Sequence, residues 1–193
     1  MSILTGPAIR ASIEAGVITI TPLDPEQVAQ ASVDLHIGPR VLVADRGQIA
    51  LDVRDDNAGR FEEERVWRGL DGDAHLFLPG RLYLASTVER IHAPHHVAVV
   101  DGKSSLARLG LQVHLTAGYI EPGFCGQITL EIVTALPLRI PVGWPICQVR
   151  FSEVTGQVEA YTARGSYADA TATDGPQTSR SYRHKPRHVR QTP

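Results

Sequence analysis

The chain has 193 residues, enough for one well-buried domain and short for two. Apolar residues make up 42% and charged residues 21%, an ordinary globular composition rather than that of a disordered or membrane chain. The formal net charge of −2 argues against a general nucleic-acid binder, but Arg180, Arg183, Lys185, Arg187 and Arg190 place five cations at the end and leave −7 on residues 1 to 179.

No apolar run approaches the roughly 20 residues that a membrane-spanning helix needs. The opening MSILTGPAIR lacks the charged-then-apolar pattern of a secretion signal, so a cytoplasmic location without a membrane partner is expected. Cys125 and Cys147 are too few for a disulfide framework or a four-ligand zinc site and are expected to be free thiols.

In chain order, Ile9 and Ile13 stand four apart with Gly16 as a stop, which predicts one short amphipathic helix. Pro22 and Pro25 break the chain. From Ser32 the sequence turns to short alternating or apolar runs bounded by Gly and Pro: 33–37, 41–43, 76–78 and 82–84. Residues 52 to 73 are dense in charge, with Asp55-Asp56 and Glu62-Glu63-Glu64, and read as a surface excursion anchored by Trp67. Strand patterns resume at 98–100, 127–133 and 146–151. No helix of crossover length separates successive strands, so the class is mostly β, a sandwich or barrel rather than a parallel α/β sheet. After Tyr161 the composition of Ala, Thr, Gly, Ser, Asp and Pro cannot build a core, so residues 1–160 are read as the domain and 161–193 as a flexible lid or tail.

The stretch Asp101-Gly102-Lys103-Ser104-Ser105-Leu106-Ala107-Arg108 has the ingredients of an anion cradle: a glycine, a lysine, two hydroxyls and an arginine. It is not a P-loop, because the Gly-rich run is missing. Taken alone it reads more readily as a helix start with a solvated lysine. His92, His95 and His96 invite a metal reading, but two are adjacent and Pro94 explains them as a surface turn. His114 reads either as a switch or active-site hydrogen bonder or, as a lone histidine in an apolar run more often is, as a satisfied core residue.

The whole segment GKSSLARLGLQVHLTAGYIEPGFCGQITLE, residues 102 to 131, resembles the central block of the dCTP deaminases, a branch of the trimeric dUTPase superfamily. The opening helix, Ala31-Ser32-Val33-Asp34-Leu35 and the Leu78-Pro79-Gly80 strand entry resemble that family too. The resemblance implies a distorted jelly-roll or β-barrel subunit, a homotrimer with active sites between subunits, and a deoxycytidine nucleotide as substrate. Glu131 matches the family's general acid and base, and one carboxylate can both activate a water and relay protons to the leaving ammonia. Arg108 and Ser104 match its catalytic partners. Lys103, Ser105 and Gln148 match positions that line the nucleotide and its phosphates. Ala117, Tyr119, Glu121, Thr129, Leu130 and Tyr161 match contacts to base and sugar, with Thr116 beside them.

The zinc-deaminase elements H-x-E and P-C-x-x-C are absent from the sequence, so a metal-free deamination is expected, with magnesium riding only on the triphosphate. Gly118-Tyr119 resembles the bifunctional members that form dUMP. Glu121 departs from the aspartate found there and so pushes against the dUMP-forming reading, and residues 165–175 lack the lysine and glutamine of the family's lid. These departures leave two alternatives open, a different cytosine nucleotide as substrate, such as a monophosphate, diphosphate or modified nucleotide, and a catalytically silent nucleotide-binding homologue; the five C-terminal cations leave a third, a nucleic-acid binder acting through the basic tail. Against silence, Glu131, Arg108 and Ser104 have no evident packing reason to occur together. The bland reading of the tail is that it solubilises.

Overall fold

The structure, a computed structural model, describes residues 2–44, 67–70, 72–159, 161 and 175–177. The expected N-terminal helix is present as α1 (Gly6–Glu14), with Pro7 in its first turn, where a missing N–H costs nothing. It buries Ile9 and packs Ile13 on the core. The strands are β1 (Thr19–Thr21), β2 (Val33–Ala44), β3 (Trp67–Leu70), β4 (Ala74–Phe77), β5 (Tyr83–His92), β6 (His96–Gly102), β7 (Leu111–Gln112), β8 (Tyr119–Ile120), β9 (Cys125–Thr134), β10 (Leu138–Pro141) and β11 (Pro145–Glu153). A single helical turn, α2 (Ser104–Ala107), joins β6 to β7.

The main sheet runs β7-β9-β5-β2-β11-β6-β8, with β1 added to β5 and β3 to β2, while β4 and β10 form a separate pair. All strand pairings are antiparallel, as the lack of crossover helices required. The runs expected as two strands at 33–37 and 41–43 are one bent strand. The first part of β2 pairs with β11, and Val41–Ala44 lies between β3 and β5. The register with β5 shifts between Ile37 and Val41, where Pro39 has no N–H to give the ladder. Such bends let the sheet curl into the mostly-β half-barrel.

Inside the curl, side chains alternate with period two. β9 turns Ile128, Leu130 and Ile132 inward and Gln127, Thr129 and Glu131 outward. Val33, Leu35 and Ile37 of β2 and Val149 and Phe151 of β11 meet them in one core. Each such buried side chain stabilises the fold by about 1.5–3 kcal/mol relative to exposure.

The expected excursion at 52–73 differs in part. Trp67–Leu70 pairs with Val41–Ala44 as β3, whereas residues 52–66 and 71 lie outside the described residues. Trp67-Arg68-Gly69-Leu70 shows no alternation, so only the partner strand defines it. Most of the expected lid, 162–174 and 178–193, also lies outside the described residues, including the five C-terminal cations.

Candidate active site

β9 is next to one edge of the main sheet and β8 forms the other edge, yet side chains from both line one cavity of about 240 Å³. The sheet therefore curls until its edges face each other, and residues 113–118 cross the seam from β7, paired to β9, to β8, paired to β6. Gly118 permits that crossing. Its carbonyl accepts from Val100 N at 2.8 Å, and a Cβ there would stand 2.8 Å from the Val100 oxygen.

Six of the sequence-predicted residues meet at this cavity: Glu131, Thr129, Ala117, Tyr119, Glu121 and Tyr161. Glu131 and Thr129 project from the outward face of β9, Ala117 from the crossing loop and Tyr119 from β8. Tyr119 is 55% exposed, an aromatic face open to a ligand. Tyr161 packs edge-on to Phe124, with ring centroids 5.9 Å apart.

Of the two readings of His114, the structure favours the active-site one: it stands in the cavity wall with its Nδ1 directly against Glu131 Oε2. The side chains are 9% and 30% exposed, and neither atom has another partner among the described residues. The signal that could have found it is strand register. Leu111 pairs with Thr134 and Gln112 with Val133, so continuing two residues sets position 114 opposite 131. Gln127 and Phe124 also line the cavity without having been singled out.

The remaining predicted residues do not line it. Leu130 is fully buried on the core face of β9, so its side chain cannot touch a ligand in the cleft. Ser104, Ser105 and Arg108 are exposed on and just after α2. Lys103 Nζ lies 2.5 Å from Asp34 Oδ2. Gln148 stands next to this pair, accepting from Ser32 Oγ at 2.9 Å and donating to the Gly102 carbonyl at 3.2 Å. Within one chain the carboxylate of Glu131 and the anion cradle are thus separate groups.

His92, His95 and His96 flank the Pro94 turn as expected, and burial lowers the His96 pKa against the opposing pull of Glu153. Among the described residues, no three His, Cys, Asp or Glu side chains group as metal ligands would. Both cysteines are free, and burial, reinforced by Glu89 and Asp34, pushes the Cys147 thiol far up. No helix among the described residues is long and apolar enough to cross a membrane.

Curled sheet and seam cavity together define a mostly-β half-barrel with a carboxylate-bearing cleft. That fold is shared with the crystal structure of 2′-deoxycytidine 5′-triphosphate deaminase from Agrobacterium tumefaciens, at a TM-score of 0.60 and 23% identity. The match covers 77% of this chain and 46% of that one, so the chain spans less than half the length of its structural neighbour. The chain belongs to the dCTP deaminase-like family, whose pattern matches residues 3–154. A Coprothermobacter proteolyticus protein named dCTP deaminase, dUMP-forming, is 37% identical over 90% of this chain and 94% of its own length. A Halobacterium salinarum protein of the same name is 38% identical over 92% of this chain and 94% of its own length.

Proposed function

We propose that this chain is a cytoplasmic, homotrimeric hydrolase that replaces the C4 amine of dCTP by oxygen, with Glu131 as general acid and base and no metal in the chemical step. The observation that carries the reading is the placement of Glu131: on β9, outward into the seam cavity, with His114 against its carboxylate. The relatives' names support dCTP as the substrate.

Glu131 takes a proton from water as its oxygen bonds to C4. Addition shifts an electron pair onto N3, the carboxyl returns a proton to the amine, the C4–N bond breaks and ammonia leaves, and the remaining water proton passes from O4 to N3 to give uracil. Ala117, with no side chain beyond Cβ, leaves room for that water. Arg108 and Ser104 act from a second subunit, because in their own chain they do not line the cavity. A symmetric trimer, each copy giving its cradle to the next, unites the two groups. Lys103, Ser105 and Gln148 bind the phosphates, on which magnesium rides; Lys103 then exchanges the Asp34 carboxylate for a phosphate. Tyr119 packs on the deoxyribose, Thr129 and the Leu130 backbone border the base, and Tyr161 closes the side of the cleft.

Continuation to dUMP is a second reading, favoured by the relatives' names and by Tyr119. Glu121 lies on the cavity wall where a carboxylate would serve that step, but its extra methylene relative to aspartate weighs against a fast one. The test is incubation with dCTP, dCDP, dCMP and CTP in parallel, with magnesium or with a zinc chelator, followed by product separation. Conversion of dCTP to dUTP or dUMP despite chelation is expected. Loss of activity with the chelator and its return with zinc would overturn the metal-free step. Turnover of another cytosine nucleotide alone would move the substrate, and silence on all four would favour a binding protein.

A further inference from the structure

Residues 175–177 lie across the outward face of β9. Gly175 N donates to Gln127 Oε1 at 2.8 Å and Gln177 N to Thr129 Oγ1 at 2.9 Å. The donors are two residues apart and so are the acceptors, the spacing of a strand laid along β9. Side-chain oxygens replace backbone carbonyls because the β9 backbone is already laddered to β5.

Gln127 is oriented from its other end. Its Nε2 donates to the Val88 carbonyl at 3.2 Å, which the register shift between Ser86 and Arg90 releases from the β5–β9 ladder. The bulge thus turns Oε1 of Gln127 toward the strap. Gly175 suits the receiving position: its φ is +93°, and a Cβ there would stand 3.5 Å from Arg40 Cδ. Gln177 itself lines the cavity that holds Glu131.

We infer that Gln127 is a positioning residue which pins the C-terminal strap over the nucleotide cavity through the Gly175 amide and so retains the bound substrate. The inference rests on the dCTP reading above for its substrate. It acts on ground state and transition state alike, because Gln127 holds the strap through the Gly175 amide and takes no part in the proton transfers at C4. Its loss therefore raises KM and leaves kcat in place.

The experiment uses the full chain with Gln127→Leu, which keeps the bulk and removes the acceptor, Gln127→Glu, which keeps an acceptor oxygen, and Gly175→Val. Gly175→Val lies in the strap rather than in the sheet and keeps the test open should Gln127→Leu fold poorly. Amide exchange by mass spectrometry is read over 175–177 together with dCTP kinetics. Losing one neutral hydrogen bond predicts about 3- to 10-fold faster exchange at 175–177 in Gln127→Leu and a similar rise in KM, with kcat changed less than about twofold. Gln127→Glu recovers most of the protection, and Gln127→Leu adds nothing further to Gly175→Val. Unchanged exchange in Gln127→Leu, a loosened strap with unaltered KM, or fully additive variants would overturn the assignment. A wild type inert on dCTP would refute the functional reading instead, and the exchange data would still decide whether the latch exists.

Discussion

Removing the His114 ring tests how much Glu131 depends on it. Glu131 Oε2 has no partner except His114 Nδ1 among the described residues, so His114→Ala leaves that oxygen with water alone. A hydrogen bond to a charged group contributes about 1.5–3 kcal/mol, and at about 1.4 kcal/mol per tenfold this spans about 10- to 150-fold in rate. Oε2 itself is buried beneath the ring, and removing the ring opens a space that water can enter, so water replaces part of the interaction and the lower end applies. The expectation is a fall of about tenfold in kcat/KM for dCTP with His114→Ala. His114→Asn, which places an amide N–H close to the lost Nδ1, should recover part of it. The assay is initial-rate product separation for both variants, alongside thermal melts. Full kcat/KM in His114→Ala, or a loss matched entirely by loss of folded protein, would refute the reasoning.

Leu130→Ala removes a side chain at 0% exposure and should destabilise the fold by about 2–5 kcal/mol in urea melts. Its kcat at temperatures where the protein stays folded should be little changed, since the side chain faces away from the cleft. Thiol titration at neutral pH should find Cys125 reactive and Cys147 protected until denaturant is added, because burial holds the Cys147 thiol protonated. Glu121→Asp shortens a carboxylate on the cavity wall by one methylene and should raise the ratio of dUMP to dUTP; a displacement of about an ångström changes such rates up to ~100-fold. An unchanged ratio, read by chromatography, would separate Glu121 from the second step.

The long alternating strands were legible because their pattern is local: 127–133 reads in sequence as it stands in β9, and 146–151 as in β11. β1, β3, β7, β8 and β10 were not, since each has only two to four residues and is defined by the strand it meets. The site divides the same way. Glu131, Thr129, Ala117, Tyr119 and Glu121 fall within one stretch of sequence that resembles the family, and the structure brings them to one cavity. His114 needed the β7–β9 register, and Gln127 needed the β5 bulge and the returning C-terminus, neither of which has a sequence period. The inward turn of Leu130 was present in the alternation itself, two residues from Ile128 and Ile132 on the core face.

The central claim is that Glu131 of one subunit and Arg108 of another complete one deaminating site, and co-expression of Glu131→Gln with Arg108→Ala tests it most directly. Each variant alone should be folded, of three times the 21.0 kDa chain mass, and inactive on dCTP. Random mixed trimers should regain about one working site in four, because each site draws one residue from each of two copies. Deamination by Glu131→Gln alone, or mixed trimers that stay inert, would contradict the account.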